Sequence, residues 1–200
     1  MEIRKTETPS RELLLLADEV EASVADYIGR GTCYAACDDG RIVGQYVLIH
    51  TRPFTAEVVN IAVVPDRQRQ GIATALLAHA VDTARRAGFR LLEIGTGNSG
   101  FGQIALYERC GFVRCGIDVD YFRKHSPTPI FENGVECRHM VRLRMEWSSC
   151  NHVRFVEPLA RMPENQRRLP QLLCLPAGQP PRQRQPRSAA DGDVRPSGAP

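Results

Sequence analysis

A strand–turn–helix–strand pattern in the middle of the chain constrains the fold more than any other feature. Residues 57–64 form an apolar run rich in β-branched side chains, which predicts a strand. A polar turn containing Gly71 follows, and apolar residues at helical spacing predict a helix over residues 72–87. Residues 89–94 are typical of the next strand. A strand, a helix and a strand in sequence predict a right-handed parallel crossover.

The remaining elements of the prediction surround this crossover. Helices are expected over 9–28, with a kink at residues 18 and 19, and over 101–109; strands are expected over 32–37, 42–50, 112–115 and 140–147. The first two of these strands flank a tight-turn sequence and should form an antiparallel hairpin. The predicted fold class is therefore α/β, with a mixed, mostly antiparallel sheet of six to seven strands and about four flanking helices.

The net charge of +3 comes from the end of the chain. Residues 151–200 contain eight Arg, four acidic residues and nine of the 14 prolines, whereas residues 1–150 carry a net charge of −1. We predict an ordered domain over 1–147 and a disordered Pro/Arg-rich tail over 148–200. The ordered part lacks the basic excess of a nucleic-acid-binding protein, and no apolar run is long enough to span a membrane.

The seven cysteines form no Cys-x-x-Cys pair, which favours a reduced, cytoplasmic location. Cys137 and His139 make one possible pair of metal ligands, but the sequence offers no second pair near them, so we expect no metal. The composition leaves the oligomeric state open between a monomer and a homodimer.

The turn before the central helix has the features of an anion site. Gly71 lets the backbone approach a ligand closely, and Ala73 is too small to obstruct it. The first N–H groups of a helix have no partner within it and carry partial positive charge, which favours a phosphate. Arg67 and Arg69 add charge. The pattern predicts a pyrophosphate site; the alternative is a solvated turn that only begins a helix.

A second glycine-rich segment supports a different interpretation. Residues 95–100 match the GxGxxG pattern of a dinucleotide site after a predicted strand, and Asp118 follows at about the spacing of the acidic residue in that pattern. However, Glu93 puts a charge in the strand, and no further strand–helix–strand units follow Asp118. An NAD(P)-binding protein that uses Gly95 to Gly100 is kept as a minor alternative.

Two motifs together resemble the GNAT superfamily of N-acetyltransferases. The first is the strand and turn of residues 56–65 and 68–73, and the second is residues 105–112, Ala-Leu-Tyr-Glu-Arg-Cys-Gly-Phe. The resemblance extends over about residues 1–147. It implies an enzyme that moves an acetyl group from acetyl-CoA to a primary amine of a small molecule or peptide. A regulatory module that binds acyl-CoA without catalysis is the alternative.

The resemblance also implies where acetyl-CoA binds. Its pyrophosphate would lie on the turn, and its pantetheine arm would lie between two splayed parallel strands, at residues 60–64 and 90–96. Asn98 lies nine residues before Tyr107, two more than is common in the family, which leaves its contact with the cofactor open. The expected cofactor-binding residues are Ile61, Ala62, Val63, Gln68, Arg69, Gln70, Gly71, Ile72, Ala73, Thr74 and Asn98.

Tyr107 and Glu57 are the catalytic residues that the resemblance implies. A tyrosine at the place of Tyr107 often faces the thioester sulfur, where its hydroxyl can give a proton to the departing thiolate. Glu57 resembles the general base of some members, which takes a proton from the amine before direct attack on the thioester. Its orientation depends on strand parity, which a nearby bulge would alter. Glu93 is a weaker candidate for the base.

The sequence does not identify the acceptor amine. The helical region 9–31 and the long excursion 116–139 are expected to flank the acceptor cleft. The excursion contains acidic or polar residues that can hold a cationic amine. These are Asp118, Asp120, Tyr121, Glu132 and Glu136.

Overall fold

A seven-stranded sheet runs through residues 1–147, the part of the chain that the computed structural model describes. Its order is β1-β2-β3-β4-β5-β9-β6, and a separate two-stranded hairpin is formed by β7 and β8. The strands are Glu2–Thr6 (β1), Thr32–Asp38 (β2), Arg41–Arg52 (β3), Thr55–Val63 (β4), Leu91–Gly97 (β5), Val113–Asp118 (β6), Phe131–Glu132 (β7), Val135–Glu136 (β8) and Met140–Glu146 (β9).

The helices follow the pattern expected from the sequence, with one addition. They are Arg11–Ala17 (α1), Glu21–Ile28 (α2), Ile72–Arg86 (α3), Phe101–Arg109 (α4) and Tyr121–His125 (α5), and a short 3-10 helix covers Pro65–Arg67. The Oγ atom of Ser10 accepts a hydrogen bond from the N–H of Leu13 and begins α1. Asp18 ends α1, so the predicted kink is a break between two short helices.

The mixed, mostly antiparallel α/β sheet confirms the predicted fold class. β4 and β5 form the parallel pair, and the other neighbours in the sheet are antiparallel. One face packs against α3 and α4 around Leu76, Leu77 and Phe112, and the other packs against α1 and α2 around Leu14 and Tyr27. We call these the α3/α4 face and the α1/α2 face.

Besides the short 3-10 helix, the elements β1, α5, β7 and β8 were not predicted from the sequence. β1 is an edge strand with polar residues on both faces, so it lacks the alternation that marks a half-buried strand. The excursion contains α5 and the β7–β8 hairpin.

The predicted tail, residues 148–200, lies outside the described residues, and the domain boundary remains a prediction. Within residues 1–147, none of the helices combines the length and the apolar character needed to cross a membrane.

Candidate active site

The two central strands separate halfway along their length. β4 pairs with β5 from Thr55 to Val58, opposite Leu91 to Ile94. Beyond that point β4 continues only with β3, and β5 continues only with β9. The facing edges of residues 59–63 and 95–97 therefore present backbone N–H and C=O groups to a gap, as an edge strand does. An extended ligand arm can pair with such edges.

The loop between β4 and α3 has the backbone conformation expected of an anion site. Gly71 begins α3 with φ +82°, a left-handed conformation that glycine adopts without strain, and the exposed Arg69 is also left-handed at φ +60°. The N–H of Ala75 is the first to bond within the helix, to the carbonyl of Gly71 at 3.0 Å. Within residues 1–147, the preceding N–H groups from Gln70 to Thr74 have no acceptor. They can converge on a phosphate.

Most polar side chains of the loop form hydrogen bonds or ion pairs within the protein that stabilise the loop conformation. Gln68 donates from Nε2 to the carbonyl of Val63 at 3.1 Å, which ties the loop to the end of β4. Arg67 is paired with Asp38 at 2.5 Å and donates to Gln70, so its charge is not free for a ligand as the sequence suggested. Arg69 forms no ion pair with the described residues and is the better-placed cation.

Most of the other predicted cofactor-binding residues have side chains packed in the core, and one has an exposed side chain. Ala62, Val63 and Ile72 have buried side chains, so only their main-chain groups are available to a ligand at the gap and the loop. Ile61 and Ala73 are partly buried and pack against the same core. Thr74 is exposed in the first turn of α3, where its hydroxyl is accessible.

Tyr107 lies in α4 and packs into the core of the α3/α4 face. Its side chain is only 5% exposed, and its hydroxyl makes no hydrogen bond with the residues that the structure describes. Burial raises the pKa of the Tyr107 phenol, and the nearby Cys110 and Glu132 add to the rise. The phenol is therefore held in its protonated form at neutral pH, as a proton donor must be.

A β-bulge fixes the direction of Glu57. Leu48 pairs with Val58 and Val47 pairs with Asn60, so Val59 is the extra residue in β4. Glu57 lies opposite Ile49, and Asn60 lies opposite Val47. Ile49 and Val47 both belong to the core of the α1/α2 face. Glu57 and Asn60 therefore face the same side of the sheet, opposite to Tyr107, although they are three residues apart.

Glu57 belongs to an ion network that the sequence did not indicate. Its Oε1 atom accepts from Nη1 of Arg142 at 2.6 Å, and Nε of Arg142 donates to Asp118 at 2.7 Å. Burial raises the pKa of Glu57, whereas the charge of Arg142 opposes the rise. The Oε2 atom of Glu57 makes no hydrogen bond within residues 1–147 and can accept a proton.

Tyr121 and Asp18 complete this polar region on the α1/α2 face. Arg142 lies 5.7 Å from the ring centre of Tyr121. Burial raises the pKa of the Tyr121 hydroxyl; Arg142 lowers it, and the carboxylates of Asp18, Glu57 and Asp118 raise it further. Asp18 is half-buried, accepts from the N–H of Val20, and has no cationic partner in the described part of the chain. The region thus contains two carboxylates bonded to the Arg142 guanidinium and a third, that of Asp18, near Tyr121.

The other acidic candidates of the excursion have partners of their own. Asp120 is paired with Arg138, and Glu136 is paired with Arg123 at 2.8 Å. Glu132 accepts hydrogen bonds from Ser99 and Gln103, which holds the β7–β8 hairpin against the start of α4. These contacts stabilise the excursion. A contact of these carboxylates with an amine remains a prediction.

The side chain of Asn98 is bonded to the excursion. Its Oδ1 atom accepts from the N–H groups of Arg138 and His139 at 2.7 Å, and its Nδ2 atom donates to the carbonyl of Glu136 at 3.0 Å. The side chain is therefore engaged in fastening the excursion to the end of β5. The contact of Asn98 with the cofactor remains a prediction.

The glycine-rich segment also has a structural explanation. A Cβ atom on Gly95 would lie 2.7 Å from the Met140 sulfur, and one on Gly97 would collide with Cys137. These glycines allow β9 and Cys137, three residues before it, to pack closely on β5. Because β5 pairs antiparallel with β9 in a sheet that is not doubly wound, the dinucleotide interpretation is wrong.

One splayed parallel pair, followed by a glycine-led loop at the end of β4, is the arrangement that the family resemblance implies for an acyltransferase that binds acyl-CoA. The model of the acetyltransferase (GNAT) family matches residues 2–112. The chain belongs to this family, which confirms the resemblance seen in the sequence and the prediction of an acetyl-CoA-dependent acyltransferase.

Three relatives illustrate the similarity. The uncharacterized N-acetyltransferase YvbK of Bacillus subtilis is 46% identical over 135 residues, which is 68% of this chain and 87% of that protein. The structure of an IAA acetyltransferase from Bacillus cereus superposes with a TM-score of 0.71 at 49% identity, covering 72% of this chain and 98% of the other. A Bacillus subtilis acetyltransferase in complex with CoA gives a TM-score of 0.70 at 44% identity, covering 73% and 98%.

Proposed function

We propose that the protein transfers the acetyl group of acetyl-CoA to a primary amine of a small molecule or peptide by direct attack. The observation that carries this proposal is the separation of β4 and β5 after Val58 and Ile94, next to the loop that begins α3 at a left-handed Gly71. The pyrophosphate lies on the N–H groups of Gln70 to Thr74. The pantetheine arm lies along residues 61–63, where backbone donors polarise the thioester carbonyl.

The reaction uses both faces of the sheet. The neutral amine attacks the thioester carbon from the α1/α2 face, forming the C–N bond while the C–S bond breaks. Glu57 accepts the amine proton at Oε2, directly or through a water molecule. Tyr107, buried on the α3/α4 face, gives its proton to the departing thiolate of CoA and regains it from solvent. The attack requires no acyl-enzyme.

The charge of the α1/α2 face favours a cationic acceptor. Asp18, Glu57 and Asp118 outnumber Arg142 in this region, and Asp18 has no cationic partner among the described residues. Opposite charges at the mouth of a cleft raise the local concentration of a charged substrate. We therefore propose an acceptor with a second positive charge besides the attacked amine, such as a polyamine or a dibasic amino compound.

A binding measurement followed by a turnover measurement tests the proposal. Acetyl-CoA is titrated calorimetrically into the full chain, and release of CoA is then followed with spermidine, L-lysine, an aminoglycoside and an alanyl peptide. Binding with turnover of the dibasic amines ahead of a monoamine supports the proposal. Binding without turnover of any amine would instead favour the regulatory module. Absence of binding would contradict the site itself.

A further inference from the structure

Asn60 carries a buried polar atom that the fold leaves without a partner. Its side chain is only 3% exposed, and its Nδ2 atom donates to the carbonyl of Leu14 at 2.9 Å and to the hydroxyl of Tyr27 at 2.8 Å. Since a carbonyl can only accept, the bond to Leu14 fixes which atom of the amide is nitrogen. The remaining atom, Oδ1, is buried and has no hydrogen-bond donor among residues 1–147.

Asn60 lies close to the point in β4 where the proposed reaction takes place. Asn60 follows the bulge at Val59, two residues beyond the last parallel pair of Val58 with Ile94. It lies where β4 begins to leave β5, which is where the gap for the ligand opens. It faces the same side of the sheet as Glu57. Asn60 and the proposed base therefore face the same side of the sheet, next to the point where the gap opens, and Oδ1 itself is buried there.

A buried acceptor without a donor is rare in folded proteins because its lost hydration is not replaced. A neutral primary amine that attacks through its lone pair has two N–H groups that need acceptors. We propose that Oδ1 of Asn60 accepts a hydrogen bond from one of these N–H groups, and that Glu57 accepts a hydrogen bond from the other. Asn60 is thus an acceptor-binding residue that directs the nitrogen lone pair at the thioester. This inference rests on the proposed function.

The first test distinguishes the contribution of Oδ1 from that of the hydrogen bonds that Nδ2 of Asn60 donates. Asn60→Ala removes all three interactions, whereas Tyr27→Phe removes the hydroxyl contact and leaves Oδ1 in place. We expect Asn60→Ala to lower kcat/KM for the best amine of the panel by about 10- to 100-fold, mainly through KM, with the Kd for acetyl-CoA within about twofold. Tyr27→Phe should keep kcat/KM within about threefold. Equal losses in both variants would show that Asn60 is only structural.

A crystal structure of the unmodified full chain with CoA and spermidine gives a readout that needs neither turnover nor a stable variant. The proposal expects an amine nitrogen, or a water molecule in its place, within about 3.2 Å of Oδ1 and open to the gap. If CoA lies in the gap but Oδ1 bonds a protein donor or has no neighbour, this inference is wrong and the proposed function stands. If CoA binds elsewhere, both are wrong.

Discussion

The anion loop before α3 differs in construction from the polar region around Glu57, Arg142 and Asp118 on the α1/α2 face, which we call the acceptor face. The loop offers main-chain N–H groups from five consecutive residues, Gln70 to Thr74, and its side chains mostly hold its shape. The acceptor face instead gathers side chains from separate elements, and Glu57 and Arg142 in its network are 85 residues apart. One site is therefore set by local backbone conformation, and the other is set by the packing of the whole sheet.

This difference has a consequence for specificity. A ring of backbone amides recognises a phosphate group whatever side chains surround it, so such a loop suits one ligand shared by many enzymes. In the network of Asp118, Arg142 and Glu57, replacement of one charged residue changes both the net charge and the hydrogen bonds of the site. We therefore expect the acceptor face to be the part of the molecule that selects the substrate.

Replacement of Tyr107 by Phe should have the largest effect on turnover. Its proposed role is in the transfer step itself, in which the acetyl group passes from the cofactor on the anion loop to the amine on the acceptor face. The variant keeps the buried ring but cannot protonate the leaving thiolate, so kcat should fall by about 100-fold or more, within the range for loss of an acid catalyst. The Kd for acetyl-CoA should stay unchanged in calorimetry. An unchanged kcat would remove Tyr107 from the mechanism.

Glu57→Gln should have the next largest effect, with Glu93→Gln as its matched control on the neighbouring strand. Glu57 and Glu93 are register partners, and Glu93 is paired with Arg52. We expect kcat/KM to fall by about 10- to 100-fold in the first variant and to change little in the second. Because the pKa of Glu57 is raised by burial, wild-type activity should decline as the pH falls through that pKa.

The pH profile of Glu57→Gln completes this test. Its acid-side decline should be lost, since glutamine does not titrate. If the decline persisted in Glu57→Gln and disappeared in Glu93→Gln, the base would be Glu93.

Gly71→Ala and Gly88→Ala compare the two ends of one helix. Both glycines are left-handed, at φ +82° and +84°, and neither would bring a Cβ within 4 Å of another atom. The strain of each alanine should lower the free energy of unfolding by about 1–2 kcal/mol. Only Gly71→Ala should weaken acetyl-CoA binding, by about tenfold in calorimetry, because its strain falls within the proposed anion site. Equal affinities in both variants would argue against the loop.

The smallest effect concerns stability and not catalysis. His79 of α3 accepts from, or donates to, the Tyr46 hydroxyl at 2.8 Å, far along the helix from the loop. Burial, helped by Arg86, lowers the pKa of His79 from 6.5 while Asp82 opposes the shift. The unfolded chain therefore binds a proton more readily, and stability should fall as the pH drops below 6.5.

His79→Gln should flatten this dependence when the midpoint of thermal unfolding is followed from pH 7.5 to 5. The variant thereby separates acid loss of stability from acid loss of catalysis at Glu57. An unchanged slope would mean that other groups control stability in this range.

The sequence was most informative where local rules decide the structure. The break at Asp18, the start of α3 at Gly71 and the bounds of α4 all follow from caps, glycine conformation and helical spacing. The splayed strands were expected from the family resemblance, and their register confirms the separation. The roles of Glu57 and Tyr107 remain predictions.

Long-range partners could not be predicted in the same way. Asn98 was assigned to the cofactor because its position resembled a family asparagine, yet its partners lie 38 to 41 residues away. Arg142 and Asn60 were not singled out, since nothing local marks a strand residue as part of a network or as a buried unpaired acceptor. The bulge at Val59, which sets the direction of Glu57, is likewise visible only in the paired sheet.

The most direct test of the central claim is a titration of the isotope-labelled full chain with acetyl-CoA, followed by backbone amide NMR shifts. We expect the largest changes at the amides of Gln70 to Thr74 and of Ile61 to Val63, with small changes in β1 and β2. Shifts concentrated away from the loop and from the splayed edge of β4, or no shifts at all, would contradict the account.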